Sequence, residues 1–449
     1  MKFDRDGDRL VIAGATRTPI GQAGKSLTEY DSFQLGDMVL AEIIKRTGVD
    51  RNKVDGLIAG EIGQSSKAPN VARVMAVKAD LKLEGSAVTV ANNCVSGYEA
   101  INEAARRILL GENDVVAVIG QESMTNYGYY LNNAKRVAKT ASLDKLKQNW
   151  NEIPGMEEVT IVDAVVEGLT DPVRDAMMID TAEVVAQKLG LDKATLDKYA
   201  HGSYKKAYEA LEGGKYDPYL MPVKHSKGVL DKDEYIMSKK GFVEKPDRFE
   251  KAGAIFEHPE MGGMKKFYDR YGKYIGKSYS DGVQGAVSLF NACPQSDGAG
   301  GCIVTTESKA KELGLTPQAY IKGWGNYGVD PVIMGLGIAY AMKKALENTG
   351  LKWDDIGNFE IHEAFAATAL GSMVVVRDEF GYDLVARLEK GDVNPHGGTL
   401  ALGHPLGATG LRVLINQIMG LNASGARYSM GSICAGGGVG GSLILEKFG

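Results

Sequence analysis

Residues 87–111 read AVTVANNCVSGYEAINEAARRILLG. An apolar, β-branched run ends at Val90, and Tyr98, Ile101, Ala105 and Ile108 then recur at helical spacing, with Gly111 as a suitable stop. Cys94 therefore falls at a strand-to-helix turn. The first N–H groups of a helix are unpaired and carry partial positive charge, so a thiolate there is stabilised and its pKa is expected to fall. An isolated cysteine in an α/β protein is more often a packed core residue. Asn92, Asn93, Ser96 and Gly97 mark a tight turn instead and favour a nucleophile.

The same rhythm extends on both sides. Before it come the strand-like RLVIAGA, the helical DMVLAEIIKRTG and the strand-like VDGLIAGE, and after it DVVAVIG. The last third repeats the pattern with AYIKGWG, IMGLGIAYAMKKALENTG, NFEIHEAF, LRVLINQIMGL, RYSMGSIC and GSLILEKF. Alternating apolar strands and amphipathic helices predict an α/β fold with a largely buried sheet, built from two similar halves. Between them, residues 126–280 turn rich in Lys, Tyr, Asp and Gly, and read as an inserted, mainly helical and loop-rich domain. The expected division is 1–125 for the first part of the N-terminal half, 126–280 for the insert, 281–312 for completion of that half and 313–449 for the C-terminal half. Within the insert, LNNAKRVAKTASLDKLKQNW places Leu131, Ala134, Ala138, Ala141, Leu146 and Trp150 near one face. This reads as a solvated amphipathic helix on its own domain, or as a basic surface for a membrane, a partner or phosphates.

At 449 residues with 44% hydrophobic content, the chain is long enough for two or three core-bearing units. Its net charge of −5 supplies no global field for nucleic acid or an anionic membrane. The charged start MKFDRDGDRL resembles neither a secretory signal nor a transit peptide, and no apolar run approaches membrane-spanning length, so a cytoplasmic location is expected. The four cysteines, Cys94, Cys293, Cys302 and Cys434, have no metal-finger spacing.

Three further segments carry reactive groups. In NPHGGTLALGHPLGATGLRVL, His404 stands between Gly403 and Pro405 ahead of a helix, where a backbone-fixed imidazole can take a thiol proton. His396 has similar neighbours and shows that loop position alone does not make a histidine catalytic. FEIHEAFAAT places His362 at a strand-to-helix junction; a zinc HExxH motif fails because position 366 is Ala. In GSICAGGGVGGSLILE, Cys434 ends a strand before a glycine run. Gly436, Gly438 and Gly441 match GxGxxG formally, yet no helix and further strand follow to make a dinucleotide site. Glycines here suit close backbone approach to a substrate and N–H donors aimed at an oxyanion.

Together NNCVSG, HEAF, GGTLALGHPLGATG and CAGGGVGG resemble, in order and over nearly the whole chain, the signature set of the thiolase superfamily, with weaker support from DGAGGCIVTTE, DPVIMGLGIAYAMKKAL and MIDTAE. The resemblance implies a duplicated, five-layered α-β-α core with an inserted loop domain. It implies acyl transfer between acyl-CoA and acetyl-CoA or CoA, with coenzyme A as substrate and no bound cofactor or metal. Cys94 would be the acylated nucleophile, His404 its activating base and Cys434 the second acid/base. The N–H groups of Cys94 and Gly436 would hold an oxyanion, and His404 with His362 would stabilise the thioester enolate. Met178 and Cys293 would contact substrate, although Met178 is followed by Ile179 where many members have Gly, and Cys293 replaces a frequent serine. His362 stands where many thiolases have Asn; the HEAF form is similar to the β subunit of the fatty-acid-oxidation trifunctional complex and suggests a partner subunit. A homodimer or tetramer follows by resemblance. Decarboxylating ketoacyl synthases and hydroxymethylglutaryl-CoA-type synthases share the core and the acylated cysteine; Cys434 in its CxGGGxG loop discriminates against them. A non-catalytic scaffold would be expected to have lost one of Cys94, His362, His404 or Cys434.

Overall fold

Strand β1 (Asp8–Arg17) sends alternate side chains into two different cores, Leu10 and Ile12 into one, Val11 and Ala13 into the other. Both faces of its sheet are therefore covered. The computed structural model describes residues 2–133 and 158–449. After β1 come α1 (Ser32–Thr47), β2 (Gly56–Gly60), α2 (Val71–Lys78), β3 (Ser86–Val90), α3 (Ser96–Leu109) and β4 (Val115–Ser123). The first half is completed by β5 (Ser296–Thr306), far along the chain, which lies antiparallel between β1 and β4. β4, β2 and β3 continue outward as parallel neighbours.

The second half contains β6 (Pro317–Gly328), α7 (Gly337–Thr349), β7 (Ile356–Ile361), α8 (Ala366–Phe380), α9 (Thr409–Ser424), β8 (Tyr428–Ala435) and β9 (Val439–Lys447). β9 runs antiparallel between β6 and β8, and β7 lies parallel to β8. This is the arrangement of β5 between β1 and β4, with β2 parallel to β4; the two halves share one topology. They join through a short antiparallel pairing of β6 with β1, giving the path β7-β8-β9-β6-β1-β5-β4-β2-β3.

Five layers follow from the helix positions. α1 covers the outer face of the first half and α7 that of the second, while α3 and α9 lie against each other between them. α9 is buried from Thr409 to Leu421, apolar and polar residues alike, because strands of both halves pack around it. Glycine sets how closely the central helices approach. A Cβ on Gly410 would lie 2.5 Å from the Tyr98 nitrogen, and one on Gly97 would lie 2.9 Å from the Gly407 carbonyl oxygen. No larger residue fits at that crossing.

The segment between β4 and β5 contains α4 (Met178–Leu189), α5 (Lys193–Glu212), α6 (Gly263–Ile275) and several short hairpins. α6 has its own small core, in which Met264, Phe267 and Tyr271 pack with Phe256 and Val184. Most of the amphipathic helix expected at 131–150 lies outside the described residues. Its start differs from expectation: Leu131 and Asn132 belong to a strand, Tyr129–Asn132, paired with Thr160–Asp163, whose β-branched residues favour that pairing over a helix. Among the described residues, no helix is long and apolar enough to cross a membrane.

Gly410→Ala is expected to destabilise the protein by about 2–3 kcal/mol through overpacking, read as a lower denaturation midpoint. Gly202→Ala, where an added Cβ meets nothing within 4 Å inside α5, should be neutral or raise the midpoint through lost unfolded-state entropy.

Candidate active site

Cys94 sits in the turn between β3 and α3, as the sequence indicates. The turn is made by Asn93, whose φ of +46° is a left-handed conformation that asparagine tolerates better than most residues. Ser96 Oγ braces it, accepting from the Asn92 N–H at 2.8 Å and donating to the Asn93 carbonyl at 2.6 Å. The Asn93 side-chain amide donates to the Gly436 carbonyl at 2.8 Å, tying this turn to the glycine loop after β8.

His404 approaches from the other half. Its backbone N–H donates to the Pro294 carbonyl at 3.2 Å, and its Nε2 lies 3.1 Å from Cys94 Sγ. On the other side of the ring, Nδ1 lies 2.7 Å from Thr409 Oγ1, while the Thr409 hydroxyl donates to the Pro405 carbonyl at 2.9 Å. A hydroxyl has one hydrogen, so with that hydrogen on Pro405 it must accept from the ring. His404 then carries its proton on Nδ1 and presents a bare Nε2 to the thiol, the tautomer a general base needs. Burial, reinforced by the charge of Arg412, lowers the His404 pKa to about 3 and keeps the ring neutral.

The electrostatics of Cys94 correct the expectation of a depressed pKa. Burial pushes the thiol up to about 12, outweighing the Gly436 and Cys94 backbone N–H groups that act on the sulfur, and Glu122 adds to the rise. The helix N-terminus is present, but desolvation of the anion is the larger effect. Cys94 is thus a neutral thiol, with the His404 Nε2 within 3.1 Å of its sulfur.

Cys434 ends β8, and its Sγ lies 3.8 Å from His362 Nδ1. His362 follows β7 and extends the β7–β8 pairing by donating its N–H to the Ser432 carbonyl at 2.8 Å. The His362 and His404 rings are 4.4 Å apart, so the four residues meet although they come from four segments. His362 is fully buried and is not among the cavity walls; its Nδ1 faces the Cys434 sulfur. Burial also raises the Cys434 and Cys293 thiols.

Cys94, Cys434 and His404 line a cavity of about 300 Å³ whose other walls are mainly apolar. Met178, at the start of α4, contributes a wall and packs at the glycine loop: a Cβ on Gly436 would lie 3.2 Å from its sulfur. Cys293 is also a wall residue. His396 is buried elsewhere, where its carbonyl accepts from the Tyr216 hydroxyl. Glu363, beside His362, accepts from Tyr199, Ser203, Asn394 and the Leu400 N–H, and braces the β7–α8 junction.

Sequence reasoning missed two supports. Thr409 was visible only as the polar residue opening α9. Glu122, fully buried at the end of β4, accepts from the N–H groups of Ile62 at 3.2 Å, Gly63 at 2.9 Å and Gly407 at 2.9 Å, and so anchors the His404 loop to the first half. A charged residue closing the strand-like VVAVIGQES run was the available signal.

A thiol in a strand-to-helix turn beside a buried neutral imidazole, with a second thiol in the same cavity, is an arrangement suited to covalent acyl transfer. The thiolase N-terminal domain model matches residues 10–256 and the thiolase C-terminal domain model residues 315–447. The chain is 34% identical over 441 residues to an acetyl-CoA acetyltransferase of Cupriavidus necator, covering 98% of this chain and 99% of that protein. It is 33% identical over 441 residues to a probable acetyl-CoA acyltransferase of Staphylococcus aureus, covering 98% and 99%. The fold matches human mitochondrial 3-ketoacyl-CoA thiolase in complex with CoA, with a TM-score of 0.82, 27% identity and 98% of each chain covered. It matches acetyl-CoA acetyltransferase of Syntrophomonas wolfei with a TM-score of 0.82 and 28% identity, covering 98% of this chain and 100% of the other. The chain belongs to the thiolase family, and its activity is acyl-CoA acyltransfer.

With Cys94 neutral and its pKa near 12, alkylation of that thiol by iodoacetamide should keep rising through pH 9, since thiolate is scarce throughout this range. A plateau below pH 8 would show instead that an ion pair forms before the reagent arrives. Thr409→Val should slow Cys94 acylation by about 10²-fold by freeing the His404 tautomer, with the fold retained by circular dichroism.

Proposed function

We propose that the chain cleaves 3-ketoacyl-CoA thioesters with CoA, and runs the reverse Claisen condensation, through an acyl group carried on Cys94. The single observation that carries this assignment of roles is the 3.1 Å contact between Cys94 Sγ and a His404 Nε2 whose other nitrogen is committed to Thr409. In the cleaving direction Cys94 attacks the 3-keto carbonyl as His404 takes its proton. The oxyanion is received by the N–H groups of Cys94 and Gly436, which already converge on the Cys94 sulfur. The C2–C3 bond breaks, the electron pair stays on C2 of the departing acetyl-CoA, and Cys434 protonates that carbon. CoA, its thiol proton taken by the Cys434 thiolate left from that step, then attacks the acyl-Cys94 carbonyl; the bond to the Cys94 sulfur breaks, His404 returns its proton to Cys94, and the shortened acyl-CoA leaves. In the condensing direction Cys434 first gives its proton to the CoA thiolate released on acylation of Cys94, and as the resulting thiolate then takes the α-proton of acetyl-CoA, with His362 facing its sulfur.

The apolar walls suit the acyl part of the substrate. Met124, Met178 and Met334 are flexible and polarisable, and Leu289 and Phe365 extend the apolar surface, so the cavity can adapt to chain length. Residues 126–280 act as an inserted domain that closes the cleft; Leu169, Met177, Met178 and Ile179 from that segment are among its walls. The same reading includes a cytoplasmic enzyme that self-associates as a dimer or tetramer, with the HEAF form of the His362 segment favouring a β-oxidation partner subunit.

Thiolysis of acetoacetyl-CoA and of a longer 3-ketoacyl-CoA, followed through thioester absorbance with free CoA, tests this reading. Cys94→Ala should abolish acylation and turnover. Cys434→Ala should still be acylated by acyl-CoA yet lose at least about 10²-fold in condensation, because its general acid/base is gone. A purified parent that cleaves neither substrate overturns the assignment.

A further inference from the structure

A second cavity, of about 290 Å³, lies behind the segment that carries His362, and the reaction does not use it. It shares no wall residue with the catalytic cavity. The partition is the HEAF segment itself: Glu363 faces the second cavity, while Ala364 and Phe365 line the catalytic one. The other walls include α5, Leu370 of α8, and Val385 and Leu388 of a short helix, Leu384–Glu389. Along α5, Lys198, Gly202 and Lys206 follow at four-residue spacing and so lie on one face. Gly202 keeps that face bare, because an added Cβ there would meet nothing within 4 Å.

The walls combine an apolar side with unpaired cations. Leu370, Val385 and Leu388 supply the apolar side. Lys206 supplies a half-buried ammonium with three donors, of which one is placed, on the Val393 carbonyl at 2.9 Å. Lys198 adds a second ammonium at the exposed rim. The ion pairs along α5 are Lys193 with Asp197 and Lys205 with Glu209; Lys198 and Lys206 form none among the described residues. Glu363, on the cavity floor, accepts instead from Tyr199, Ser203, Asn394 and the Leu400 N–H. Burial lowers the Lys206 pKa against the opposing effect of Glu363 and Glu360, and an anion held in the cavity would relieve that cost.

We propose that this cavity is a second ligand site, for a short-chain alkyl monocarboxylate whose carboxylate binds Lys206 and Lys198 and whose chain lies on Leu370, Val385 and Leu388. Its volume stands at the lower end of small-molecule sites, about 300 Å³, which suits a small ligand. A single negative charge matches the two lysines best. A phosphate would bring more charge toward Glu363 and Glu389, both of them wall residues, and would leave the apolar side uncovered.

Calorimetric titration of the whole protein with hexanoate, with and without saturating CoA, tests the site. Hexanoate is expected to bind alongside CoA, since the two cavities share no wall residue. Hexan-1-ol, which has no charge, and hexylamine, which has the opposite one, should bind at least about 10-fold more weakly, and Lys206→Met should weaken hexanoate binding by about 10-fold. Gly202→Leu places a side chain in the cavity without removing a contact and should abolish binding, with the fold retained by circular dichroism; it serves where Lys206→Met fails to fold. No binding at millimolar hexanoate, or binding that CoA displaces, would overturn the proposal. So would binding unweakened in Lys206→Met or Gly202→Leu, or hexan-1-ol or hexylamine binding as tightly as the acid.

Discussion

The active site depends on a backbone-to-backbone contact between the two central helices. Gly97 on α3 and Gly407 and Gly410 at the start of α9 let the helices approach until added methyl groups would overlap main-chain atoms. Cys94 stands three residues before Gly97, and His404 six before Gly410, so this contact brings the thiol of one half within 3.1 Å of the imidazole from the other. Glu122 reinforces it by collecting N–H groups from both sides of the junction. The duplicated topology has a functional consequence here: equivalent central helices from the two halves present their N-terminal ends to one cleft.

Burial then decides the chemistry. In water a helix N-terminus would favour a thiolate, but in this cleft desolvation dominates and both thiols and imidazoles are held neutral. Neutral groups cost less to bury than an ion pair, and they shift the demand from charge to proton position. Thr409 meets it for His404 by accepting from Nδ1, which leaves Nε2 for Cys94. Each of the two sulfurs is paired with one imidazole, Cys94 with His404 and Cys434 with His362.

Much of this was legible in the chain. The β-branched runs and 3.6-residue periodicities gave the order of strands and helices, because both are local consequences of side-chain geometry. Cys94, His362, His404 and Cys434 could be singled out because glycine and small polar residues surround reactive groups at element ends. The motifs NNCVSG, HEAF, GHPLG and CAGGG carried the family. Leu131 and Asn132 show where local reading fails: a helical pattern was overridden by pairing with Thr160 and Ile161, more than two dozen residues away.

By itself, then, the sequence determined the α/β class and the family, and singled out four residues that the fold brings together, all of which reside in short-range pattern and residue type. Only the tertiary structure decided which nitrogen faces which sulfur, that burial outweighs the helix field at Cys94, and that Thr409 and Glu122 brace His404 and its loop. Those outcomes depend on distances between segments as much as 310 residues apart and on the exclusion of water between them, quantities set only once the two halves have closed on each other.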